Sequence, residues 1–382
     1  MPTVSINPGV LRWSIERSGF PVGALEPQFP KLRDWIEGEK HPTLKQLESL
    51  AKKVRLPIGY FFLSKAPDHS IKIPYFRTDK DKTPANFSPE LIDTVYSMQR
   101  RQLWLREYLI ENGASKLPFI NSAKCTDSAI DIASSIRGYL GLEEDWAVQH
   151  PTWQLALRHL FTVTDKSEIN IVVNGIVANN THRKLDPREF RGFVLKDDFA
   201  PFLFINNSDG KAAQMFTLAH ELAHLWCGSS AIFDLARLQP ADDDVEIFCN
   251  KVAAEFLVSS NSLRRTWDTI LDKGNIYQDL ARIYKVSEIV IARRLLDLRL
   301  INKEEFFGFY KIYMDRVEKQ MKAASGGDYY NNQGMRVGKN FMQAVVQAER
   351  DGSLQPTEAF RLTNLYGNTF DTYAQKVLGS NS

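Results

Sequence analysis

The sequence predicts an α+β protein that is predominantly helical, and three observations lead to this prediction. Apolar residues recur at the three- and four-residue spacing of amphipathic helices, most clearly over residues 89–112 and 244–258. Only short apolar runs, at 171–177, 193–195 and 202–205, have strand character, which indicates a small sheet. Within the first run, Asn174-Gly175 predicts the turn of a hairpin between 171–173 and 176–177. Hydrophobic residues make up 43% and charged residues 25% of the 382 residues, a balance typical of globular proteins.

Composition disfavours several classes of protein. No apolar run reaches about 18 residues, which predicts that the chain does not span a membrane. Residues 1–8 lack the basic and apolar regions of a signal peptide, so we expect a cytoplasmic protein. The three cysteines, Cys125, Cys227 and Cys249, are too few and too scattered for a disulfide framework, and we interpret them as packing thiols.

The first 65 residues are predicted to form a small helical domain. Helices are expected over 11–17 and 30–38, the second stopped by Gly38, and Thr43 is expected to cap a third. Residues 21–30 contain three prolines and a glycine, which leaves little room for a full helix. The whole chain has a net charge of +2, whereas these 65 residues hold ten lysines and arginines against six acidic residues, a net charge of +4.

The most informative motif is His220-Glu221-Leu-Ala-His224. Positions i and i+4 share one face of a helix, so the two imidazoles could bind a single Zn²⁺. Glu221 follows the first histidine and would lie where a base could take a proton from a water molecule. Two surface histidines on an ordinary amphipathic helix are the alternative, and a third ligand would distinguish the two interpretations.

A third ligand is predicted on the helix over 244–258. Glu246 shares a helical stripe with Asn250 and small residues, so we interpret Glu246 as the ligand and Glu255 as its competitor. Asn250, one turn further on, is expected to orient a ligating histidine. Residues 242–244 are acidic and are expected to favour the start of the helix.

Three segments together resemble the ImmA/IrrE family of zinc metallopeptidases. They cover residues 190–206, 214–225 and 246–257. The resemblance implies a zincin-like fold, a zinc ion held by His220, His224 and Glu246, and catalysis by Glu221. It also implies a protein substrate, often a helix-turn-helix repressor whose cleavage switches on stress-response or mobile-element genes.

Residues 35–39 and 42–51 resemble the Xre-type helix-turn-helix. That resemblance implies that Lys31 and Arg33 face DNA in the major groove. The shortened segment at 21–30 departs from the pattern, and a module for protein interaction or for packing is an equal alternative to one that reads DNA. A second hypothesis therefore has the chain as a DNA-binding transcription regulator, or as an antitoxin of a toxin–antitoxin pair, in which the peptidase fold serves binding.

These patterns divide the chain into four predicted regions. We expect the helix-turn-helix-like domain over 1–65, a linker and long helix over 66–120, the zincin-like domain over 121–300 and a helical C-terminal region over 301–382. A linker signature at 73–78 and a tail beginning near 326 resemble members of the family that carry a fused helix-turn-helix. Residues 280–296 resemble a second helix-turn-helix, which in ImmA/IrrE proteins belongs to the helical extension of the peptidase, and we interpret this segment as structural.

Overall fold

The computed structural model describes residues 2–18, 20–67, 87–228, 232–233, 244–270, 275–321 and 333–379. Contacts divide them into two units, one formed by residues up to 67 together with 87–95, and one formed by the residues from 96 onward. Three sequence predictions lie outside the described residues: the linker signature at 73–78, the acidic pair at 242–243 and the start of the tail near 326.

The first unit is built from short helices. They are α1 (Pro8–Ser18), α2 (Val22–Leu25), α3 (Leu32–Glu37) and α4 (Leu44–Lys53), followed by a 3₁₀ turn at Ile58–Phe62. Gly38 ends α3 in the left-handed conformation, with φ of 80°, and Thr43 and Gln46 form a reciprocal cap at the start of α4. Both sequence predictions for these helix ends are confirmed. The prolines limit α2 to one turn, as expected.

The second unit contains most of the helices. The first six described helices of this part of the chain are α5 (Pro89–Glu111), α6 (Ala129–Leu140), α7 (Trp153–Lys166), α8 (Lys211–Cys227), α9 (Asp244–Leu257) and α10 (Ser260–Ile270). The remaining helices are α11 (Ile276–Tyr284), α12 (Glu288–Asp297), α13 (Lys303–Met321), α14 (Gln333–Val337), α15 (Lys339–Arg350), α16 (Pro356–Thr363) and α17 (Asn368–Gly379). The predominantly helical α+β prediction is confirmed. Within the described residues, no helix combines the length and apolarity that a membrane crossing needs.

The main sheet has four strands in the order β1-β5-β4-β6. Their bounds are β1 (Asn170–Asn174), β4 (Gly192–Leu195), β5 (Phe202–Asn206) and β6 (Ile232–Phe233). Strand β1 runs parallel to β5, whereas β4 is antiparallel to both β5 and β6. A separate two-stranded sheet joins β2 (Ile176–Val177) to β3 (Asn180–Lys184).

One strand pairing predicted from the sequence is wrong. Asn174-Gly175 was expected to be the turn of a hairpin between 171–173 and 176–177, but β1 pairs with β5, and β2 pairs with β3. The Asn174 side chain accepts a hydrogen bond from the Ile176 backbone N–H and donates one to the Ala178 carbonyl, so the local turn leads out of the main sheet. All five residues of β1 are buried, and the partner of a fully buried strand is set by packing.

Helices cover both faces of the main sheet. Ile171, Leu203 and Ile205 pack with α8 in the largest hydrophobic core. On the other face, Phe202 contacts Phe341 of α15 edge to face at 5.7 Å, and Trp104 of α5 contacts the same ring. Helix α8 therefore lies between the sheet and the helices α6, α7 and α9, which places its central residues in the core of the unit.

Candidate metal centre

Helix α8 carries the HExxH motif through the core. The helix begins after Gly210 and ends at Gly228, whose φ of 79° suits the left-handed cap. His220, Glu221 and His224 are all fully buried. Polar groups buried this deeply need partners, because transfer of an unpaired polar group out of water is costly. The helix therefore places three polar side chains where a ligand or an ion would satisfy them.

Helix α9 brings a carboxylate to the two imidazoles. Glu246 Oε2 lies 3.1 Å from His220 Nε2, and Glu246 Oε1 lies 3.3 Å from His224 Nε2. The two Nε2 atoms are 2.9 Å apart. One donor atom from each residue lies within 4.8 Å of the others, so this group could hold a metal ion. Ligands at 2.0–2.2 Å from a tetrahedral zinc lie roughly 3.3 Å from one another, and the observed separations fit such an ion.

The ionisation of these side chains also suits metal binding. Burial lowers the pKa of His220, which favours the neutral imidazole that a metal requires. Burial raises the pKa of Glu246, but hydrogen bonds with His220 and His224 outweigh it and leave the pKa well below its ordinary value. The centre thus combines a neutral imidazole with a carboxylate that stays ionised.

Each imidazole has a second partner on α9. His220 Nδ1 lies 3.0 Å from Asn250 Oδ1, and a proton held on Nδ1 by this contact would leave the Nε2 lone pair available to a metal ion. His224 Nδ1 lies 3.6 Å from Cys249 Sγ. The contact with Asn250 is the one expected from its place one turn beyond Glu246. The contact with Cys249 was not expected, because that thiol was interpreted from the sequence as a packing residue.

Glu221 is the one carboxylate on α8, and both of its oxygens are buried without a hydrogen-bond partner. Burial, aided by the negative charge of Glu246, raises its pKa well above the ordinary value. One turn earlier, the Thr217 hydroxyl is also buried without a partner. Orphaned polar atoms beside three metal-type ligands fit a site built to receive an ion and a polar ligand.

The competing ligand is used elsewhere. Glu255 is 3% exposed and forms an ion pair with Arg294, and its Oε1 accepts hydrogen bonds from the backbone N–H and hydroxyl of Ser260. It therefore joins the end of α9 to α10 and α12. The structure brings Glu246, and not Glu255, to the histidines.

The residues proposed to contact DNA lie in the other unit, at the start of α3. Lys31 and Arg33 are both exposed. Arg33 forms an ion pair with Glu26, which follows the one-turn helix α2. Of these two exposed cations, Arg33 is paired with an acidic side chain, and contact of Lys31 and Arg33 with DNA stays a prediction.

The comparisons with known proteins bear on the second unit. Residues 165–296 match the family model described as the IrrE N-terminal-like domain, Peptidase_M78. The match covers about a third of the chain, includes all of α8 and α9, and supports a metallopeptidase-type function related to ImmA/IrrE. Residues 337–376 match a domain of unknown function, DUF8813. No curated protein and no solved structure matched the chain.

Two features of the centre escaped the sequence argument. Cys249 lies three residues after Glu246, so helical spacing alone could have placed it toward α8. Gly192 allows β4 to approach α8, since a Cβ there would lie 2.6 Å from Thr217 Cγ2. Nothing in the local sequence around Gly192 indicates that close approach, because the contact joins residues that are distant along the chain.

Proposed function

We propose that the chain is a zinc-dependent endopeptidase of the HExxH type. The observation that carries the proposal is the convergence of His220, His224 and Glu246 beside the buried, partnerless carboxylate of Glu221. Two nitrogens and one carboxylate oxygen are the ligand set of many catalytic zinc sites, which keep a further position open. The Peptidase_M78 match over 165–296 supports the same class of reaction.

Each residue of the site has a separate role in the proposed peptide hydrolysis. A bound zinc ion would act as a Lewis acid, lowering the pKa of water and polarising the substrate carbonyl. Glu221 then takes a proton at a carboxylate oxygen and later delivers it to the leaving amine. Asn250 keeps the Nδ1 proton on His220 and directs its Nε2 inward.

We further propose that the substrate is a regulatory protein, such as a helix-turn-helix repressor, in a stress-response or mobile-element circuit. This part of the proposal rests on the resemblance of the metal-binding segments to ImmA/IrrE. The first unit has a hydrophobic core of its own, including Leu11, Trp35 and Leu47, and so offers a separate folded surface for partner recognition.

Replacement of Glu221 by Gln tests the mechanism. The Gln side chain keeps the volume but cannot accept the proton, so cleavage of a helix-turn-helix repressor, followed by mass spectrometry, should fall about 10²–10⁴-fold. Zinc content should stay unchanged, because Glu221 is not in the ligand set. The same exchange at exposed Glu107 is the control and should leave cleavage intact. Full activity in Glu221→Gln would exclude this mechanism.

A further inference from the structure

All three cysteines are brought together at the end of α8. Cys227 is the last residue of that helix, one turn after His224, and Cys249 lies on α9. The backbone N–H groups of Asn121 and Ala123 donate to the carbonyls of Leu225 and Trp226, which holds the segment leading to Cys125 along the end of α8. Residues that are about a hundred positions apart in sequence thus form one thiol cluster.

The thiols form a continuous series of contacts that ends at a metal ligand. The Cys227 thiol lies next to the thiols of Cys249 and Cys125, which are the neighbours that most affect it. Cys249 Sγ in turn lies 3.6 Å from His224 Nδ1. Cys125 and Cys227 are partly exposed, whereas Cys249 is fully buried. A small oxidant could therefore reach Cys125 or Cys227. Oxidation there would change the surroundings of Cys249 and, through it, of His224.

We propose that Cys227 and Cys249 are a site of reversible oxidation by hydroperoxides, and that their disulfide weakens metal binding through His224. The proposed oxidation is argued from the three cysteines alone. The effect on the metal rests on the zinc centre of the proposed function.

The chemistry balances with one hydroperoxide for each disulfide. The Cys227 thiol gives up its proton and its sulfur attacks one peroxide oxygen, the O–O bond breaks, and Cys227 becomes a sulfenic acid as the other oxygen takes up that proton and leaves as water or an alcohol. The Cys249 sulfur then attacks the Cys227 sulfur, the S–O bond breaks, and the hydroxyl leaves as water with the Cys249 proton. The two sulfurs lose two electrons, and the peroxide gains them.

Cys227 is the thiol that reacts first. It is partly exposed, so a hydroperoxide can reach its sulfur. Cys249, being buried, is shielded from the oxidant but is in place to resolve the sulfenic acid. An accessible thiol next to a second thiol that can resolve the sulfenic acid is the usual arrangement of a reversible thiol switch.

Disulfide formation would disturb the contact with the metal ligand. The sulfurs of two neighbouring thiols that are not bonded lie well beyond the ~2.05 Å of a disulfide bond. Closing the bond therefore requires Cys249 Sγ to move toward Cys227 and to change its contact with His224 Nδ1. Loss of such an orienting partner typically weakens metal binding about 10–100-fold.

The disulfide is tested on the full-length protein, both with and without zinc. After treatment with hydrogen peroxide, the remaining thiols are alkylated and the protein is digested without reduction. We expect two fewer alkylated thiols, a peptide link between Cys227 and Cys249, and full reversal by dithiothreitol. Cys227→Ser should abolish the link, whereas the matched control Cys125→Ser should retain it. Three free thiols after peroxide, or a link to Cys125, would overturn the proposal.

The coupling to the metal is tested by competition with a zinc chelator before and after oxidation. The zinc dissociation constant should rise about 10–100-fold in the oxidised wild type and in Cys125→Ser, and should not change in Cys227→Ser. An unchanged constant in protein that carries the mapped disulfide would overturn the coupling alone. Reduced protein that binds no zinc would overturn both the coupling and the proposed function, which separates the two failures.

Discussion

The two imidazoles of the candidate metal centre differ in the group that contacts their Nδ1 atoms. His220 donates from Nδ1 to the Asn250 amide oxygen at 3.0 Å, and His224 has the Cys249 thiol at 3.6 Å. An amide oxygen is the stronger acceptor, and a thiol is a weak one. His220 is therefore the better fixed of the two ligands, and His224 is the one whose orientation depends on a group that can be oxidised.

Removal of the Asn250 amide should weaken the centre without unfolding the chain. In Asn250→Ala the Nδ1–H of His220 loses its acceptor, so zinc affinity measured by chelator competition should fall about 10–100-fold. Asn250→Asp keeps an acceptor oxygen and should bind zinc close to the wild-type level. Equal affinities for the Ala variant and the wild type would show that Asn250 does not position the ligand.

A second residue-scale prediction concerns Asp165, near the end of α7. Burial raises its pKa from 3.8 to about 6, although the Asn340 backbone N–H and the Lys339 charge partly oppose this. Because the folded-state pKa lies above the unfolded one, the ionised carboxyl destabilises the fold. The penalty is complete above pH 6, shrinks as the pH falls through that value, and disappears below about pH 3.8.

Asp165→Asn should therefore stabilise the protein at pH 8, by up to roughly 3 kcal/mol, and the gain should shrink steadily between pH 6 and pH 4. Unfolding midpoints compared across this range measure the effect. Asp315→Asn, at an exposed position in the middle of α13, is the control. A gain for Asp165→Asn that does not vary with pH would contradict the assignment of the shift to burial.

At the scale of elements, the approach of α8 to β4 depends on Gly192. A Cβ at this position would lie 2.6 Å from Thr217 Cγ2 and 2.8 Å from the Phe204 carbonyl oxygen. Thr217 is one turn before Glu221 on α8. The absence of a side chain on β4 therefore helps to set the position of the helix that carries the metal ligands.

Gly192→Ala should displace α8 and destabilise the protein by about 1–3 kcal/mol, as overpacking does. The matched control is Gly138→Ala in α6, where a Cβ meets nothing within 4 Å and should stabilise the helix by about 0.5–1 kcal/mol. Thermal unfolding should show a lower melting temperature for Gly192→Ala and a higher one for Gly138→Ala than for the wild type. Similar shifts in both would contradict a special role for Gly192.

Sequence patterns predicted where helices and strands begin and end better than they predicted which elements pack or pair with one another. Gly38 and Thr43 mark helix ends through local backbone chemistry, and both predictions hold in the structure. Asn174-Gly175 is an equally local signal, yet it misplaced β1, whose partner β5 lies about thirty residues away. The motif at 220–224 and Glu246 were found because helical spacing fixes which side chains share a face. The contacts of Cys249 and Gly192 depend on how elements pack, which no local pattern encodes.

For the second unit as a whole, a single buried arginine ties the C-terminal helices to α5. Arg101 is 3% exposed and donates to the carbonyls of Arg336, Val337, Leu362 and Thr363. Burial lowers its pKa to about 9, so the side chain still carries its charge at neutral pH. The four carbonyls belong to the ends of α14 and α16, within or beside the segment that matches DUF8813.

Arg101→Met should remove these donors and leave buried carbonyls unpaired, at a cost on the order of 3 kcal/mol or more. We expect limited proteolysis to cut the region 333–379 faster than in the wild type. Arg100→Met, at the exposed neighbouring position, should leave the cleavage rate unchanged. Equal protease resistance in both variants would show that the C-terminal helices are held by other contacts.

The proposed function requires that one zinc ion is bound by His220, His224 and Glu246, and elemental analysis of the purified protein tests this requirement. The wild type should contain one zinc ion per chain, and His220→Ala and Glu246→Ala should each lose it, because catalytic zinc sites depend on all three protein ligands. A wild-type protein without metal, or a Glu246→Ala protein that retains it, would contradict the ligand assignment and the endopeptidase mechanism built on it.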